Sequence, residues 1–204
     1  PVILGNQGSK PVARDKKLYE QRFSRGIPQG KLVECVTEIN FGGKFNDDVF
    51  QFSVGLNGVG TKAVNALSCE FEVTSFRDGK YRRAEFAEGK LLEEKKGKAP
   101  AERSGTLVTF TPDPKIFGDY AWNEEFIAHR LNFYAHLNLG LNLIYNGKKF
   151  RSTNGLADLL RDEIGEGGSL YDIVHCKNKR LEFAFTHTHT YGENYFAFVN
   201  GQYT

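Results

Sequence analysis

The amino-acid sequence predicts an α+β fold: a mixed, mostly antiparallel sheet with helices over 31–40, 58–68 and 123–138 packed on one face, then the start of a second α+β unit near 155–170. Three observations predict it. Residues 69–112 alternate apolar and polar side chains at period two and carry tight-turn signals between the runs, which is the pattern of short antiparallel strands. The segments on either side switch to a helical period. The chain has 204 residues with 40% hydrophobic and 25% charged side chains, enough to bury a sizeable core without staples.

Taken in order, residues 1–24 are polar and aperiodic and read as a loosely held lead-in. "KLVECVTEIN" at 31–40 sets Leu32, Val33, Val36 and Ile39 on one helical face. A glycine-rich and then acidic loop, "FGGKFNDDVFQFS", leads to "VGLNGVGTKAVNALS" at 54–68. There Gly55, Gly58 and Gly60 precede a helix whose Ala63, Val64, Ala66 and Leu67 are expected to pack inward. "CEFEVTSF" sets Phe71, Val73 and Ser75 against Glu70, Glu72 and Thr74, and "RDGK" at 77–80 is a hairpin signal. Two strands around Gly89, a charged loop "KKGKAPAERSG" and the strand "TLVTFTP" complete an expected four-stranded meander.

"NEEFIAHRLNFYAHLN" at 123–138 is the clearest helix. Asn123 can cap it, Glu124 and Glu125 suit its first turn, and Phe126, Ile127, Leu131 and Tyr134 build the expected apolar stripe. "LNLIYNGKKF" is a hairpin with Asn-Gly at its tip, and "TNGLADLLRDEI" a short helix. "GEGGS" at 165–169 reads as a linker, and "RLEFAFTHTHT" and "YFAFVNGQYT" as two further strands.

Composition bounds the function. A net charge of +2 does not by itself argue for direct binding to nucleic acid or to a membrane surface. No apolar run approaches the ~20 residues of a membrane span, and "PVILGNQGSK" lacks the layout of a signal peptide. The absence of Met suggests a fragment or a processed chain. Cys35, Cys69 and Cys176 show no paired spacing and suit free thiols in a reducing cytoplasm. In "THTHT" at 186–190, a strand would place His187 and His189 on one face as a candidate zinc or copper pair, with His175 or Cys176 as a third ligand; ordinary strand surface is the simpler reading. His129 and His136, on the long helix, are expected at the core edge or in solvent.

The glycines before the second helix carry the sharpest functional signal. First-turn N–H groups have no intrahelical partner and the helix dipole favours an anion there. Glycine also lets backbone approach a phosphate without a Cβ in the way, and Lys62 adds a positive charge.

"SRGIP" at 24–28, "GGKF" at 42–45, the Val54–Gly60 element, "AVNALS" at 63–68 and "GT" at 105–106 come in an order that strongly resembles one family. It is the ATPase region of the B subunit of bacterial type II DNA topoisomerases, gyrase and topoisomerase IV. The wider superfamily holds chaperone, mismatch-repair and histidine-kinase ATP domains. "FVNGQYT" at 198–204 resembles a strand of the family's transducer domain. The resemblance runs from about Ser24 to Thr204. It implies a Bergerat-type ATPase sandwich, with 1–23 an unmatched lead-in, 24–155 part of the ATP-binding domain and 156–204 the start of the transducer.

Carried onto this sequence, it implies that Ile27 and Pro28 lie beside adenine. Lys44, Asn57, Gly58, Val59, Gly60, Thr61 and Lys62 would surround the triphosphate, and Thr106 would bond near the adenine edge. Arg83 would lie at the pocket mouth, unless it is a solvated strand charge beside Arg82. The lid over 41–60 is expected to be mobile without ligand. ATP and Mg²⁺ are the implied cofactors; the A subunit, DNA and a second B subunit are the implied partners, in the cytoplasm.

The sequence departs from the family where hydrolysis is concerned. Residues 1–23 hold no E-x-x-x-N pattern to supply the water-polarising Glu and the Mg²⁺-holding Asn, and Arg22 stands where the adenine-accepting Asp belongs. Arginine cannot accept a hydrogen bond. No catalytic residue is therefore assigned, and the chain by itself is expected to be a weak or inactive ATPase. The alternative is a non-catalytic relic or dimer-interaction module with the same fold.

Overall fold

The computed structural model describes residues 2–4, 27, 29–39, 41, 58–165, 167–178, 180–199 and 201–204. These fall into two compact units. One holds Trp122–Thr204 together with strand β1 (Val2–Leu4), so the expected lead-in contributes a strand. The other contains the described residues from Ile27 to Ala121.

In the second unit a 3₁₀ turn at Gln29–Lys31 leads into helix α1 (Leu32–Thr37), and helix α2 spans Gly60–Ala66. Strands β2 (Ser68–Arg77), β3 (Lys80–Ala87), β4 (Lys90–Lys98) and β5 (Gly105–Pro112) form an antiparallel sheet. Both predicted hairpins form. Asp78 and Gly79 take φ of 52° and 71°, Glu88 and Gly89 take 51° and 76°, and two positive φ values match the strand twist.

The sheet is not a simple meander: its order is β4-β3-β2-β5. The fourth strand returns beside the first, which is the Greek-key arrangement. The returning segment is held over the first hairpin by Ala99 N–H donating to the Gly79 carbonyl at 2.8 Å, and by Arg103 lying 3.8 Å from the centre of the Phe76 ring. Strand β4 runs to Lys98, so part of the expected charged loop is strand. Gly97 is required there, because a Cβ would come within 2.6 Å of the cross-strand Tyr81 ring.

Helices cover one sheet face. Leu32 and Val36 of α1 join Phe71, Val73, Ala84 and Phe86 in a buried cluster, with Ile27, Val33, Val64 and Phe110 packed against it. Helix α2 turns differently from the sequence expectation. Asn65 is 1% exposed, while Ala66 and Leu67 face outward. The reason is a helix-end requirement: the last carbonyls of α1 have no intrahelical partner, and the Asn65 side-chain amide donates to the Val36 carbonyl at 3.0 Å.

The first unit has its own core. Hairpin strands β6 (Leu143–Tyr145) and β7 (Lys148–Phe150) turn at Asn146 and Gly147, φ 48° and 81°, as the Asn-Gly pair predicts. Strand β1 adds to β6 in parallel, making this sheet mixed. After the short helix α3 (Pro114–Phe117) of the second unit, the long helix α4 (Glu124–Leu137) starts with the Asn123 side chain accepting from Phe126 N–H at 2.9 Å, as predicted. Its buried face is not the whole expected stripe. Leu131 and Ala135 pack with Leu141, Leu143, Tyr145 and Phe150, with Ile127 against them, while Phe126 and Tyr134 are exposed and His136 is buried. The His136 ring bonds the Asn132 carbonyl at 2.8 Å.

Helix α5 (Leu156–Ile164) ends at Gly165. Gly168 N–H returns to the Gly165 carbonyl and Ser169 bridges Thr188, so the expected linker is a turn inside this unit. Strands β8 (Val174–Lys177) and β9 (Glu182–Phe185) form a hairpin, and β10 (Phe198–Val199) with β11 (Gln202–Tyr203) a smaller one. The described residues thus form four separate sheets with α+β character throughout, as the fold class predicts, with the strands beyond the β2–β5 sheet divided among three small sheets.

Two substitutions probe these contacts. Asn65→Ala leaves the Val36 carbonyl without its donor and is expected to lower unfolding free energy by about 1–3 kcal/mol in urea titration; an unchanged midpoint would contradict it. Asp158 accepts from Asn154, Ser152 and Thr153. Burial works to raise its carboxyl, but these hydrogen bonds outweigh it and hold the group well below the usual carboxylate range. A depressed folded value gives stability that is present above the unfolded carboxylate value near pH 4 and lost as pH falls below it. Asp158→Asn should therefore be less stable than wild type at pH 7, with the gap in melting temperature closing toward pH 2.

Candidate functional site

The alternation of β2 sorts the candidate residues by face. Phe71, Val73 and Ser75 point to the helix-covered side, and residues directly opposite across an antiparallel ladder share a face. Ser75 stands opposite Thr106 on β5 and opposite Arg82 on β3. Thr106 is therefore on the helix-covered face and half-buried. Ile27, also half-buried, is held on that face: the Ser75 hydroxyl, with its residue 0% exposed, donates to the Ile27 carbonyl at 2.8 Å. The structure thus brings Ile27 and Thr106 together around Ser75, a residue that the sequence reading did not single out as functional. The signal was its position in the inward phase of an otherwise apolar strand.

The start of α2 lies in the same unit, with Val64 packed on the same core cluster as Ile27. Gly58 has φ of 57°, a left-handed conformation that favours glycine. Val59 is the N-cap, no side chain caps it, and its carbonyl accepts the Ala63 N–H at 2.9 Å. A Cβ on Gly60 would meet nothing within 4 Å. Thr61 is exposed. The Lys62 ammonium donates to the Phe41 carbonyl at 2.8 Å, while Lys31 lies 5.3 Å from the centre of the Phe41 ring. Burial pushes the nearby Cys35 thiol up, partly opposed by the positive field of Lys62. Pro28, Lys44 and Asn57, with the lid segment 42–57 and its expected mobility, lie outside the described residues.

Arg83 is placed elsewhere. It stands opposite Thr74, on the face away from Ser75, Thr106 and Ile27. Its guanidinium is gripped by Glu72 at 2.7 Å and Glu85 at 2.9 Å. Two arginines share the face of Ser75: Arg77, two residues along β2, and Arg82, which forms a two-point pair with Glu94.

The histidine pair does not share a strand face. Regular pairing in that strand ends at Phe185, and His187 lies 2.5 Å from the Tyr171 hydroxyl. His175 meets Glu182 at 3.0 Å. Among the described residues, no group of three or more His, Cys, Asp and Glu comes together that could hold a metal ion.

No family model matches the chain. Similar proteins do. The B subunit of DNA topoisomerase 4 from Borreliella burgdorferi is 57% identical over 203 residues, covering 99% of this chain and 34% of that protein. The gyrase B subunit of Thermus thermophilus is 34% identical over 211 residues, covering 91% of this chain and 33% of that one. Among solved structures, the 43K ATPase domain of Thermus thermophilus gyrase B, in complex with an aminocoumarin, superposes with a TM-score of 0.59 at 34% identity over 68% of this chain and 42% of that chain. The gyrase B subunit of Myxococcus xanthus gives a TM-score of 0.69 at 20% identity over 89% and 56%, which supports the fold.

The fold is that of a gyrase-type ATPase domain. The chain belongs to the B-subunit family of bacterial type II DNA topoisomerases, gyrase and topoisomerase IV. It spans about a third of the length of the curated relatives it matches. The Borreliella match over 99% of the chain takes in most of residues 1–23, which the motifs alone had left unmatched.

Placement of Arg83 gives a test. Arg83→Ala is expected to leave the affinity for a non-hydrolysable ATP analogue within about twofold, measured by calorimetry, because its partners are on the sheet face opposite Ser75 and Thr106. A tenfold loss would return Arg83 to the site.

Proposed function

We propose that this chain is the nucleotide-binding part of a type II topoisomerase B subunit, taking ATP on the helix-covered face of the β2–β5 sheet. In the complete enzyme, nucleotide binding would close two B subunits and, with the A subunit, drive passage of one DNA duplex through another in the cytoplasm. The observation that carries the reading is the convergence of Ile27 and Thr106 on one face, within a chain 57% identical to a topoisomerase 4 B subunit.

The residues fit a nucleotide. Ile27 and Pro28 would flank the base and Thr106 would bond its edge. The Gly58–Lys62 backbone, together with Asn57, Lys44 and Lys62, would hold the phosphates. Lys62 already has its ammonium directed to a backbone oxygen, that of Phe41, which a phosphate oxygen could replace. Among the described residues no three or more His, Cys, Asp and Glu cluster, and no step is assigned to Mg²⁺. ATP supplies a phosphoanhydride whose cleavage releases free energy; this chain's own share is to orient the base and neutralise phosphate charge. Arg22 at the adenine-accepting position weakens base recognition, because it offers only donors.

Calorimetric titration of the 204-residue chain with adenylyl imidodiphosphate and Mg²⁺ tests this. Micromolar binding is expected, with little phosphate release when ATP replaces the analogue. No heat at millimolar ligand would overturn nucleotide binding and favour a non-catalytic interaction module.

A further inference from the structure

We infer that Ser75 is a positioning residue for the adenine side of the site, acting through the Ile27 carbonyl. This rests on the nucleotide reading above and deepens it. Nothing in the motif pattern points to Ser75; its role comes from geometry.

Strand β2 is central, flanked by β3 and β5. Its inward side chains Phe71 and Val73 are 2% and 0% exposed and make the floor under α1. At the next inward position an apolar side chain would continue that floor. The chain instead has a hydroxyl, fully buried, and a buried hydroxyl needs a partner. The partner is the main-chain carbonyl of Ile27, 48 positions away in sequence and two before the Gln29–Lys31 turn. Ile27 itself lies in neither helix nor strand, so no ladder fixes its carbonyl. The hydrogen bond from the central strand, together with the packing of Ile27 on the core cluster, holds it over the sheet.

The position matters because of what lies across the ladder. Thr106 is directly opposite Ser75 on β5. Ser75 therefore ties Ile27 to the point where the strand bearing Thr106 runs alongside β2. If Ile27 covers one face of the base and Thr106 bonds its edge, the bond fixes the spacing between the two. Gly105, just before Thr106, is buried at φ of 123°, a backbone conformation that favours glycine. The phosphate side depends on different groups: the Gly58–Lys62 backbone and the Lys62 contact with Phe41.

The two sides should therefore respond separately. Two probes, adenylyl imidodiphosphate and inorganic tripolyphosphate, are titrated calorimetrically against wild type, Ser75→Ala and Ser75→Cys. Ser75→Ala is expected to weaken the nucleotide analogue about five- to tenfold, the loss of one net hydrogen bond, and to leave tripolyphosphate within about twofold. Ser75→Cys keeps the side-chain size with a weaker donor and should fall between; it carries the test if Ser75→Ala does not melt cooperatively. A purely structural serine would lower the melting temperature while leaving the ratio of the two affinities at its wild-type value, and that result overturns the inference. Equal binding by all three proteins overturns it as well, with the nucleotide reading intact. A wild-type chain that binds neither probe removes the nucleotide reading and this inference with it.

Discussion

The second unit depends on one constraint: a central strand whose inward phase must be covered. Strand β2 pairs in regular register from Phe71 onward, so Phe71, Val73 and Ser75 all face the same way, and exposure of that row would leave the apolar Phe71 and Val73 in water. Helix α1 meets it with Leu32 and Val36, and α2 packs Val64 alongside. Two described residues of the proposed nucleotide site, Ile27 and Thr106, are placed by this cover. Ile27 reaches the sheet because Ser75 holds its carbonyl, and Thr106 faces inward because its register sets it opposite Ser75.

The same alternation divides the unit chemically. On the covered face three polar groups are committed: the Asn65 amide N–H to the end of α1, Ser75 to Ile27 and Arg82 to Glu94. On the other face Arg83, Glu72 and Glu85 form an ion-paired cluster with Thr74 bonded to Glu72. Half-exposed pairs of this kind add little to stability. They suit a cluster that carries charge at the surface, opposite the helix-covered face.

Local signals were the most legible part of the sequence. Asp-Gly and Asn-Gly turns formed where expected because two positive φ values are a local requirement that few residue types meet. The Asn123 cap was legible for a similar reason. Long-range choices were not. The return of β5 beside β2 depends on contacts between Ala99 and Gly79 and between Arg103 and Phe76, which no periodicity reveals. Asn65 turned inward to serve a carbonyl on another helix, overriding the apolar pattern of its neighbours. Arg82 and Arg83 show how sharp the limit is: a shift of one residue exchanges the faces, and motif resemblance carries no register. The Thr-His repeat kept its alternation in sequence, but regular pairing stops at Phe185.

The central claim is that ligand binds on the helix-covered face of the second unit. Backbone amide shifts in ¹⁵N-labelled protein, recorded as adenylyl imidodiphosphate is added, test it most directly. The account predicts that the amides of Ile27, Gly58 to Lys62 and Thr106 move with a common saturation curve while those of Glu72, Arg83 and Glu85 stay in place. Shifts confined to the Arg83 face, or saturable shifts absent from Ile27 and Thr106, would contradict it.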